Sequence, residues 1–274
     1  MNKRERKKRF NQITKKIKEV KIQGAQNIAK KALYAYSLIP TKKSKKKLLS
    51  LRPTEPLLKN VLSKIDKQGA KKILKHFEKT QKKINKFSEK LLKNKDIIFT
   101  HCHSSSVTKS MISSKKKRNK FEVYNIETRP LLQGRKTVNE LRKHGIKITH
   151  FVDSAAMIAL TKKQGTKKVD KVFIGADAIL KDGVINKVGS GIISKIAYDH
   201  KIPVYILADS WKYSSKKIKM EKRSFKEIWS FRKKGRTLNI QNPAFEFVPK
   251  KYITAIISEF GILKYNDFLK RVRD

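Results

Sequence analysis

Residues 96–106 read Asp-Ile-Ile-Phe-Thr-His-Cys-His-Ser-Ser-Ser, and the architecture follows from the beginning of this stretch. Its short apolar run Ile97–Thr100, bounded by polar residues, predicts a strand that is buried on both faces, as in a parallel sheet. Similar runs follow at Phe121–Ile126, Ile146–Val152, Val169–Ile174 and Val204–Leu207. We therefore expect a mostly parallel sheet in the second part of the chain.

Helix-like stretches separate these runs. They are Val107–Ser113, Thr137–Lys143, Ala155–Lys163 and Gly191–His200. Strands that alternate with helices predict right-handed crossovers and a doubly wound, Rossmann-like α/β domain. A late segment, Tyr252–Gly261, carries Ile253, Ile256 and Ile257 at helical spacing, which predicts one more helix packed on the sheet.

The first third of the chain has a different pattern. Apolar residues recur there at three- and four-residue steps, beginning with Phe10–Leu38, and this periodicity predicts amphipathic helices. The lysine-rich run Thr41–Lys47 separates two of them, and Pro53 suits the first turn of the next. We expect an N-terminal helical domain over 1–94 and a Rossmann-like α/β catalytic domain over 95–274.

The composition is strongly basic. The 274 residues include 69 Lys and Arg against 22 Asp and Glu, a formal net charge of +47, and the lysines are dispersed from Lys3 to Lys270. A hydrophobic fraction of 38% excludes wholesale disorder. The basic start leads into no apolar signal core, and no apolar run approaches the roughly 18 residues that span a membrane. We expect a soluble, cytoplasmic protein that associates with nucleic acid only nonspecifically, because no base-reading motif accompanies the charge.

Cys102 is the only cysteine, so the chain can form neither an intramolecular disulfide nor a multi-cysteine zinc site. His101 and His103 flank it, but adjacent side chains of an extended segment point in opposite directions. We therefore expect no metal at this motif.

The residues that follow the first strand predict a phosphate site. Ser104, Ser105 and Ser106 open a helix, whose free backbone N–H groups and partial positive charge suit an anion. Ligands of open α/β sheets bind at this carboxyl edge. The same field would lower the pKa of the Cys102 thiol and make it reactive. The alternative is that Cys102 is a small buried core residue.

Two later strand ends add polar groups. Asp177 follows the small residues Gly175 and Ala176, where a carboxylate suits an acid, a base, a ribose ligand or a helix cap. The segment Asn186–Gly191 combines an amide, a lysine and glycines before another helix and suits a second anion. Lys212 follows the next strand and adds a cation. Neither G-x-G-x-x-G nor G-x-x-x-x-G-K-[ST] occurs, and two anion sites around a thiol and a carboxylate suggest a small, doubly phosphorylated substrate.

The same residues carry a resemblance that covers nearly the whole chain. Its segments are Ile22–Ala25, Leu51–Thr54, Thr100–Ser105, Glu127–Pro130, Gln133–Gly134, Gly175–Ile179, Asn186–Ser190, Asn242–Phe245 and Ile257–Gly261. In this order they resemble a family that unites the regulatory alpha, beta and delta subunits of the eukaryotic initiation factor two B with two sugar-phosphate isomerases. These isomerases act on methylthioribose-1-phosphate and on ribose-1,5-bisphosphate.

The resemblance implies an isomerase, because Cys102 after Thr-His and Asp177 in Gly-Ala-Asp look like the catalytic pair that the exchange-factor subunits lack. Cys-His-Ser-Ser is similar to the archaeal ribose-1,5-bisphosphate isomerase, which implies conversion of ribose 1,5-bisphosphate to ribulose 1,5-bisphosphate in nucleotide (AMP) salvage. Cys102 would then accept a proton and Asp177 donate one, without a metal or redox cofactor. A methylthioribose-1-phosphate isomerase and a non-catalytic regulatory subunit that binds nucleotide or sugar phosphate remain alternatives.

The resemblance also implies a set of substrate-binding residues. They are Gln23, Gly24, Ala25, Arg52, Ser104, Ser105, Ser106, Asn186, Lys187 and Lys212. Gln23 departs from the isomerase pattern, which often has arginine there, and the loss of a charge-assisted phosphate contact costs about 1 to 3 kcal/mol. By the same resemblance we expect a homo-oligomer, either a dimer or a hexamer built of dimers.

Overall fold

A computed structural model of the protein describes residues 1–117, 119–230 and 238–273. The N-terminal third is helical, as predicted, with helices α1 (Lys3–Lys18), α2 (Ala25–Leu38), α3 (Lys42–Ser50) and α4 (Pro56–Glu89). Helix α3 was missed, because its lysine-rich sequence reads as a connection. Thr41 and Ser44 cap its first turn reciprocally, and buried Leu48 anchors it in the helical core.

Helix α4 connects the two parts of the molecule. It bends at Gly69, whose φ of 72° and ψ of 155° lie outside the helical region. Before the bend, Leu58 and Leu62 pack in the core of the N-terminal helices, whereas Ile84 beyond it packs with residues of the sheet. The expected domain boundary between residues 94 and 95 therefore falls after a helix, α4, that packs on the other N-terminal helices and also on the sheet.

The central sheet has seven strands, which are β1 (Ile97–Thr100), β2 (Glu122–Ile126), β3 (Lys147–Phe151), β4 (Lys171–Ile174), β7 (Val204–Leu207), β9 (Ala255–Ser258) and β10 (Gly261–Leu263). Their order in the sheet is β10-β9-β7-β4-β1-β2-β3. All neighbours are parallel except β9 and β10. Five of them lie within the predicted apolar runs. The chain proceeds outward from β1 in one direction and from β4 in the other, so β1 and β4 flank the topological switch point.

Helices cover both faces of the sheet, as a doubly wound fold requires. They are α5 (Ser105–Lys116), α6 (Gln133–Arg142), α7 (Ala156–Leu160), α8 (Ser190–Asp199) and α9 (Tyr265–Arg273). Alternate residues of β1 belong to separate cores, with Ile98 packing beside Val107 of α5 and Phe99 beside Ile193 of α8. The predicted α/β fold is confirmed. None of the described helices is long and apolar enough to cross a membrane.

The prediction of a helix over Tyr252–Gly261 is wrong. Residues Ala255–Ser258 form β9, which is buried on both faces between β7 and β10. A short apolar run of this kind fits a buried strand and a buried helix equally well, and only strand pairing separates the two.

Three further strands were not predicted. Strands β5 (Ala178–Ile179), β6 (Gly183–Lys187) and β8 (Phe245–Pro249) form a small antiparallel sheet in the order β5-β6-β8. The hairpin β5–β6 begins directly after Asp177 and ends at Lys187, so it fixes the spacing of these two residues.

Gly134 sets how closely α6 approaches β2. A Cβ atom there would lie 1.9 Å from the carbonyl oxygen of Ile126. We expect Gly134→Ala to push α6 outward and to lower the free energy of unfolding by about 1 to 3 kcal/mol, measured by urea denaturation. Asn139→Ala, at an exposed position of the same helix, is the matched control. If the two variants had equal free energies of unfolding, the close approach to the Ile126 carbonyl would not restrict position 134 to glycine.

Candidate active site

The switch point brings the ends of β1 and β4 to one cavity. The cavity is lined by Cys102 after β1, Asp177 after β4, and residues of the N-terminal helices. Gly175 allows the two strand ends to meet, because a Cβ atom there would lie 2.6 Å from Oγ of Ser104. The wall therefore combines both parts of the molecule.

Most of the residues singled out in the sequence line this cavity. They are Gln23, Gly24, Ala25, Arg52, Cys102, Ser104, Ser105, Asp177, Asn186, Lys187 and Lys212. Ser106 is the exception, since it is buried behind the helix start and its carbonyl oxygen accepts from Nε2 of Gln81 at 3.3 Å. The roles of these residues stay predictions, but their assembly around one cavity is a property of the fold.

Two threonines fix the backbone of Cys102. Its φ is 63°, in the left-handed region that is unfavourable for a residue with a side chain. The Cys102 N–H donates to Oγ1 of Thr128 at 3.1 Å, and the Cys102 carbonyl accepts from Oγ1 of Thr137 at 2.8 Å. These bonds tie the strained residue to the loop after β2 and to α6, and so direct its thiol to the cavity.

His101 extends this support toward β6. Its buried ring donates from Nε2 to the Val188 carbonyl at 2.9 Å, and Nδ1 lies 3.3 Å from Oγ1 of Thr128. Burial lowers the pKa of His101 to about 4, so the ring is neutral near pH 7. Gly189 is required beside it, since a Cβ atom there would lie 3.0 Å from the ring. His101 therefore connects the backbone around Cys102 to the residues after β6.

His103 makes a different contact. Its Nδ1 lies 3.1 Å from Oγ1 of Thr137, the hydroxyl that holds the Cys102 carbonyl. Burial lowers the pKa of His103 to about 4. The two histidines that flank Cys102 thus have separate hydrogen-bond partners on different elements.

The surroundings of the Cys102 thiol raise its pKa instead of lowering it. Burial raises its pKa to about 12, and the negative charge of Asp177 acts in the same direction. A hydrogen bond from the backbone of His103 and the charge of Lys187 oppose the shift without cancelling it. The expected lowering of this pKa by the helix start is therefore wrong, because desolvation is the larger effect.

Asp177 is also biased toward its protonated form. Burial raises the pKa of its carboxyl, although Lys212 and Arg52 act against the shift. Lys212 is itself buried and donates from Nζ to the Ala176 carbonyl. A raised pKa in a desolvated site suits a carboxyl to donate a proton.

Arg52 belongs to a buried ion cluster that the sequence does not reveal. Its Nε donates to Oε1 of Glu221 at 2.7 Å, and its Nη2 lies 3.4 Å from Oε1 of Glu55. Burial and the charge of Asp177 raise the pKa of Glu55 to about 8. We call Arg52, Glu55 and Glu221 the Arg52 cluster. All three line the cavity, and much of the Arg52 charge is already compensated there.

Among the described residues, no side chain caps the starts of α2 and α5 in the cavity wall. Gly24, with φ of 82°, precedes α2, and Ser104 precedes α5. Backbone N–H groups in their first turns are therefore available to an anion. The expected anion site at the start of α8 is wrong in its detail, because the Gly191 N–H donates to Oε1 of Glu246 at 2.6 Å. Only Asn186 and Lys187 of that segment line the cavity.

Further cations were missed by the sequence reasoning. Lys136 of α6 and Arg223 also line the cavity. With so many lysines in the chain, the sequence offers no signal that separates Lys136 from its neighbours. Arg223 also forms an ion pair with Glu227.

A second polar cluster lies next to the loop that carries Lys212 and consists of His76, Asp209 and Glu259. Potential ligand atoms of His76, Asp209 and Glu259 lie within 4.8 Å of one another, and the His76 ring stacks on Trp211 at 3.7 Å. The surface around it is lined by Lys72, Lys75, Lys79 and Lys83. These lysines disfavour a bound cation, and the cluster packs α4 against the loop that carries Lys212.

Comparison with known proteins identifies the family. The sequence pattern of the initiation factor 2 subunit family matches residues 7–265. The chain belongs to this family. The ribose 1,5-bisphosphate isomerase of Methanocaldococcus jannaschii is 33% identical over 280 residues, which cover 90% of this chain and 89% of the relative. The methylthioribose-1-phosphate isomerase of Fervidobacterium nodosum is 31% identical over 286 residues, which cover 91% and 81%.

The fold agrees with a solved structure of the same family. The translation initiation factor eIF-2B of Pyrococcus horikoshii OT3 superimposes with a TM-score of 0.82 and 25% identity. The match covers 93% of this chain and 97% of that protein. Two isomerases and an initiation factor are thus similar to this chain. The similarity alone does not select one activity, so the choice depends on the residues of the cavity.

The raised pKa of Cys102 predicts slow alkylation at neutral pH. Only the thiolate reacts, so the rate with iodoacetamide should rise about tenfold per pH unit from pH 7 to about pH 10, without a plateau. Mass spectrometry can follow the reaction at a single site, because Cys102 is the only cysteine. The urea-unfolded protein is the control and should level off near pH 8.5 to 9. A plateau below pH 8 in the folded protein would contradict the burial effect.

Proposed function

We propose that the chain is a sugar-phosphate isomerase that converts ribose 1,5-bisphosphate to ribulose 1,5-bisphosphate. The observation that carries this proposal is the meeting of Cys102 and Asp177 in one cavity at the β1–β4 switch point. The two uncapped helix starts in the same wall suit a ligand with two phosphates. The similarity to the isomerase of M. jannaschii supports the same substrate.

The proposed reaction moves one proton from C2 to C1 of the sugar. Asp177 donates a proton to the ring oxygen as the bond between that oxygen and C1 breaks. Cys102 removes the proton from C2, which leaves an enol, and then delivers a proton to C1. The C2 hydroxyl returns its proton to Asp177 as the ketone forms, so both residues end as they began.

This cycle requires Cys102 and Asp177 to share one proton. The carboxyl must hold it, and the thiol must be ionised, when the sugar reacts. Burial favours the protonated carboxyl, and the charge of Lys187 favours the thiolate. Because burial raises the pKa of the thiol, its ionisation in this cycle depends on the positive charge of Lys187.

The phosphates would occupy the positive part of the cavity. The N–H groups at the starts of α2 and α5 can donate to phosphate oxygens. Lys187, which is only 6% exposed, and Lys136 add positive charge. A buried lysine that faces a phosphate forms a strong, charge-assisted hydrogen bond.

Turnover is the direct test. The wild-type protein should form ribulose 1,5-bisphosphate from ribose 1,5-bisphosphate, detected by chromatography of the two sugar phosphates. Cys102→Ser and Asp177→Asn should each lower kcat by roughly 10²- to 10⁴-fold, because each removes a proton-transfer group. Asp182→Asn, at an exposed turn, is the matched control and should retain full activity. Wild-type protein that forms no ketose would refute the proposal.

The second candidate is methylthioribose-1-phosphate isomerase activity, favoured by the similarity to the F. nodosum enzyme. The same assay with methylthioribose-1-phosphate distinguishes the two substrates. The second candidate predicts the higher kcat/KM with this sugar, whose single phosphate would need only one helix start.

Gln23 offers a separate test of phosphate binding. It lines the cavity beside the start of α2. Gln23→Arg should lower KM for ribose 1,5-bisphosphate about tenfold, because a guanidinium adds a charge-assisted contact to phosphate. Asn27→Arg adds the same charge at an exposed position of α2 and serves as the control. If both variants lowered KM equally, the added charge would act through the general electrostatic field of the protein and not through a contact with phosphate.

A further inference from the structure

Two buried polar atoms of the Arg52 cluster have no hydrogen-bond partner within the described part of the chain. They are Nη1 of Arg52 and Oε2 of Glu55. Both side chains line the cavity, with relative exposures of only 6% and 3%. Buried donors and acceptors are almost always paired in folded proteins, so these two atoms indicate that a ligand group completes them.

The two atoms belong to a pair of side chains that already touch. Nη2 of Arg52 lies 3.4 Å from Oε1 of Glu55, while Nε is engaged by Glu221 at 2.7 Å. Nη1 shares its carbon atom with Nη2, and Oε2 shares its carbon with Oε1. A free donor and a free acceptor therefore belong to two side chains that touch each other in the cavity wall.

A hydroxyl group fits this arrangement better than a phosphate does. A hydroxyl accepts a hydrogen bond and donates one, so a single oxygen can satisfy both atoms. A phosphate only accepts, and it would be repelled by the negative charge of Glu221. The hydroxyl also fits either protonation state of Glu55, whose pKa burial raises to about 8.

We propose that Arg52 and Glu55 form a hydroxyl subsite, in which Glu55 selects phosphorylated sugars over bisphosphates that lack hydroxyl groups. The phosphates of the ligand then lie at the helix starts and at Lys187, away from the two glutamates. The identity of the sugar rests on the proposed function, whereas the preference for a hydroxyl rests on the cluster alone.

The position of the subsite also matters for the reaction. Asp177 lines the same cavity as Arg52 and Glu55. The charge of Asp177 contributes to the raised pKa of Glu55, and the charge of Arg52 lowers the pKa of Asp177. A hydroxyl held by Arg52 and Glu55 thus fixes the sugar beside the proposed proton donor. Glu55 is a specificity-determining and positioning residue, since it takes no part in the proton transfers.

Binding measurements with two ligands test the subsite. The parent is Cys102→Ser, for which the proposed mechanism predicts turnover slowed roughly 10²- to 10⁴-fold. The ligands are ribose 1,5-bisphosphate and pentane-1,5-diol bisphosphate, which has no free hydroxyl. In isothermal titration calorimetry the parent should bind the sugar more tightly than the diol. Adding Glu55→Ala should weaken sugar binding roughly 10- to 100-fold and leave diol binding unchanged or tighter.

Two further variants separate selection from folding. Glu55→Gln keeps a hydrogen-bonding amide and should retain a preference for the sugar that lies between those of the parent and the alanine variant. Glu122→Ala removes a glutamate that pairs with Lys147 and Lys167 at the surface, and it should change neither affinity. Thermal melting of each variant confirms that it is folded.

Several outcomes would overturn the subsite. They are equal losses for both ligands in Glu55→Ala, no loss for the sugar, equal binding of sugar and diol by the parent, and no binding of either. Turnover by the wild-type protein is measured separately. Full turnover with any of these outcomes refutes the subsite alone, whereas a selective loss of sugar binding without turnover refutes the proposed function and retains the subsite.

Discussion

The ion pair between Arg52 and Glu221 holds the cavity together. Arg52 precedes α4 in the N-terminal part, and Glu221 lies in the segment after β7, so their 2.7 Å contact joins the two parts. Oγ1 of Thr54 strengthens this junction by donating to the Lys219 carbonyl and accepting from the Glu221 N–H. Loss of either charge would leave the other buried without its partner, which is far more costly than loss of a surface pair.

The same junction explains why the cavity is polar and yet desolvated. Carboxyl groups of Glu55, Asp177 and Glu221 share it with Arg52 and Lys212. Burial moves the pKa of Glu55 and Asp177 upward, and the cations limit the shift. The carboxyl of Glu55, whose pKa is raised to about 8, therefore favours its protonated form near neutral pH, unlike ordinary surface carboxyls.

Much of the fold could be predicted from the sequence, because buried parallel strands leave short apolar runs such as Ile97–Thr100. The topology then placed Cys102 and Asp177 at the ends of neighbouring strands. The strand Ala255–Ser258 could not be predicted, because run length and spacing do not separate a strand from a helix there. The strands of the small sheet could not be predicted either, because their pairing joins distant parts of the chain.

The candidate site was predictable in composition but not in chemical state. Sequence motifs indicated the thiol, the carboxylate and the start of α5, whereas the second anion site was expected at the start of α8 and not at that of α2. They could not indicate that burial would outweigh the helix field at Cys102, because desolvation depends on the whole surrounding structure. Contacts from Thr137 and Glu221 were equally inaccessible, since each joins residues that are distant in the sequence and that only the tertiary fold brings together.

The high net charge has little to do with this cavity, which uses only a few of the cations and balances several of them with carboxylates. The left-handed backbone of Cys102 has a wider meaning. Glycine would adopt its φ of 63° without strain, whereas a residue with a side chain is held there only by the surrounding contacts. The turn after β1 therefore does not require a cysteine for its own conformation. A side chain at this point costs conformational energy, and strain of this kind is concentrated at functional sites.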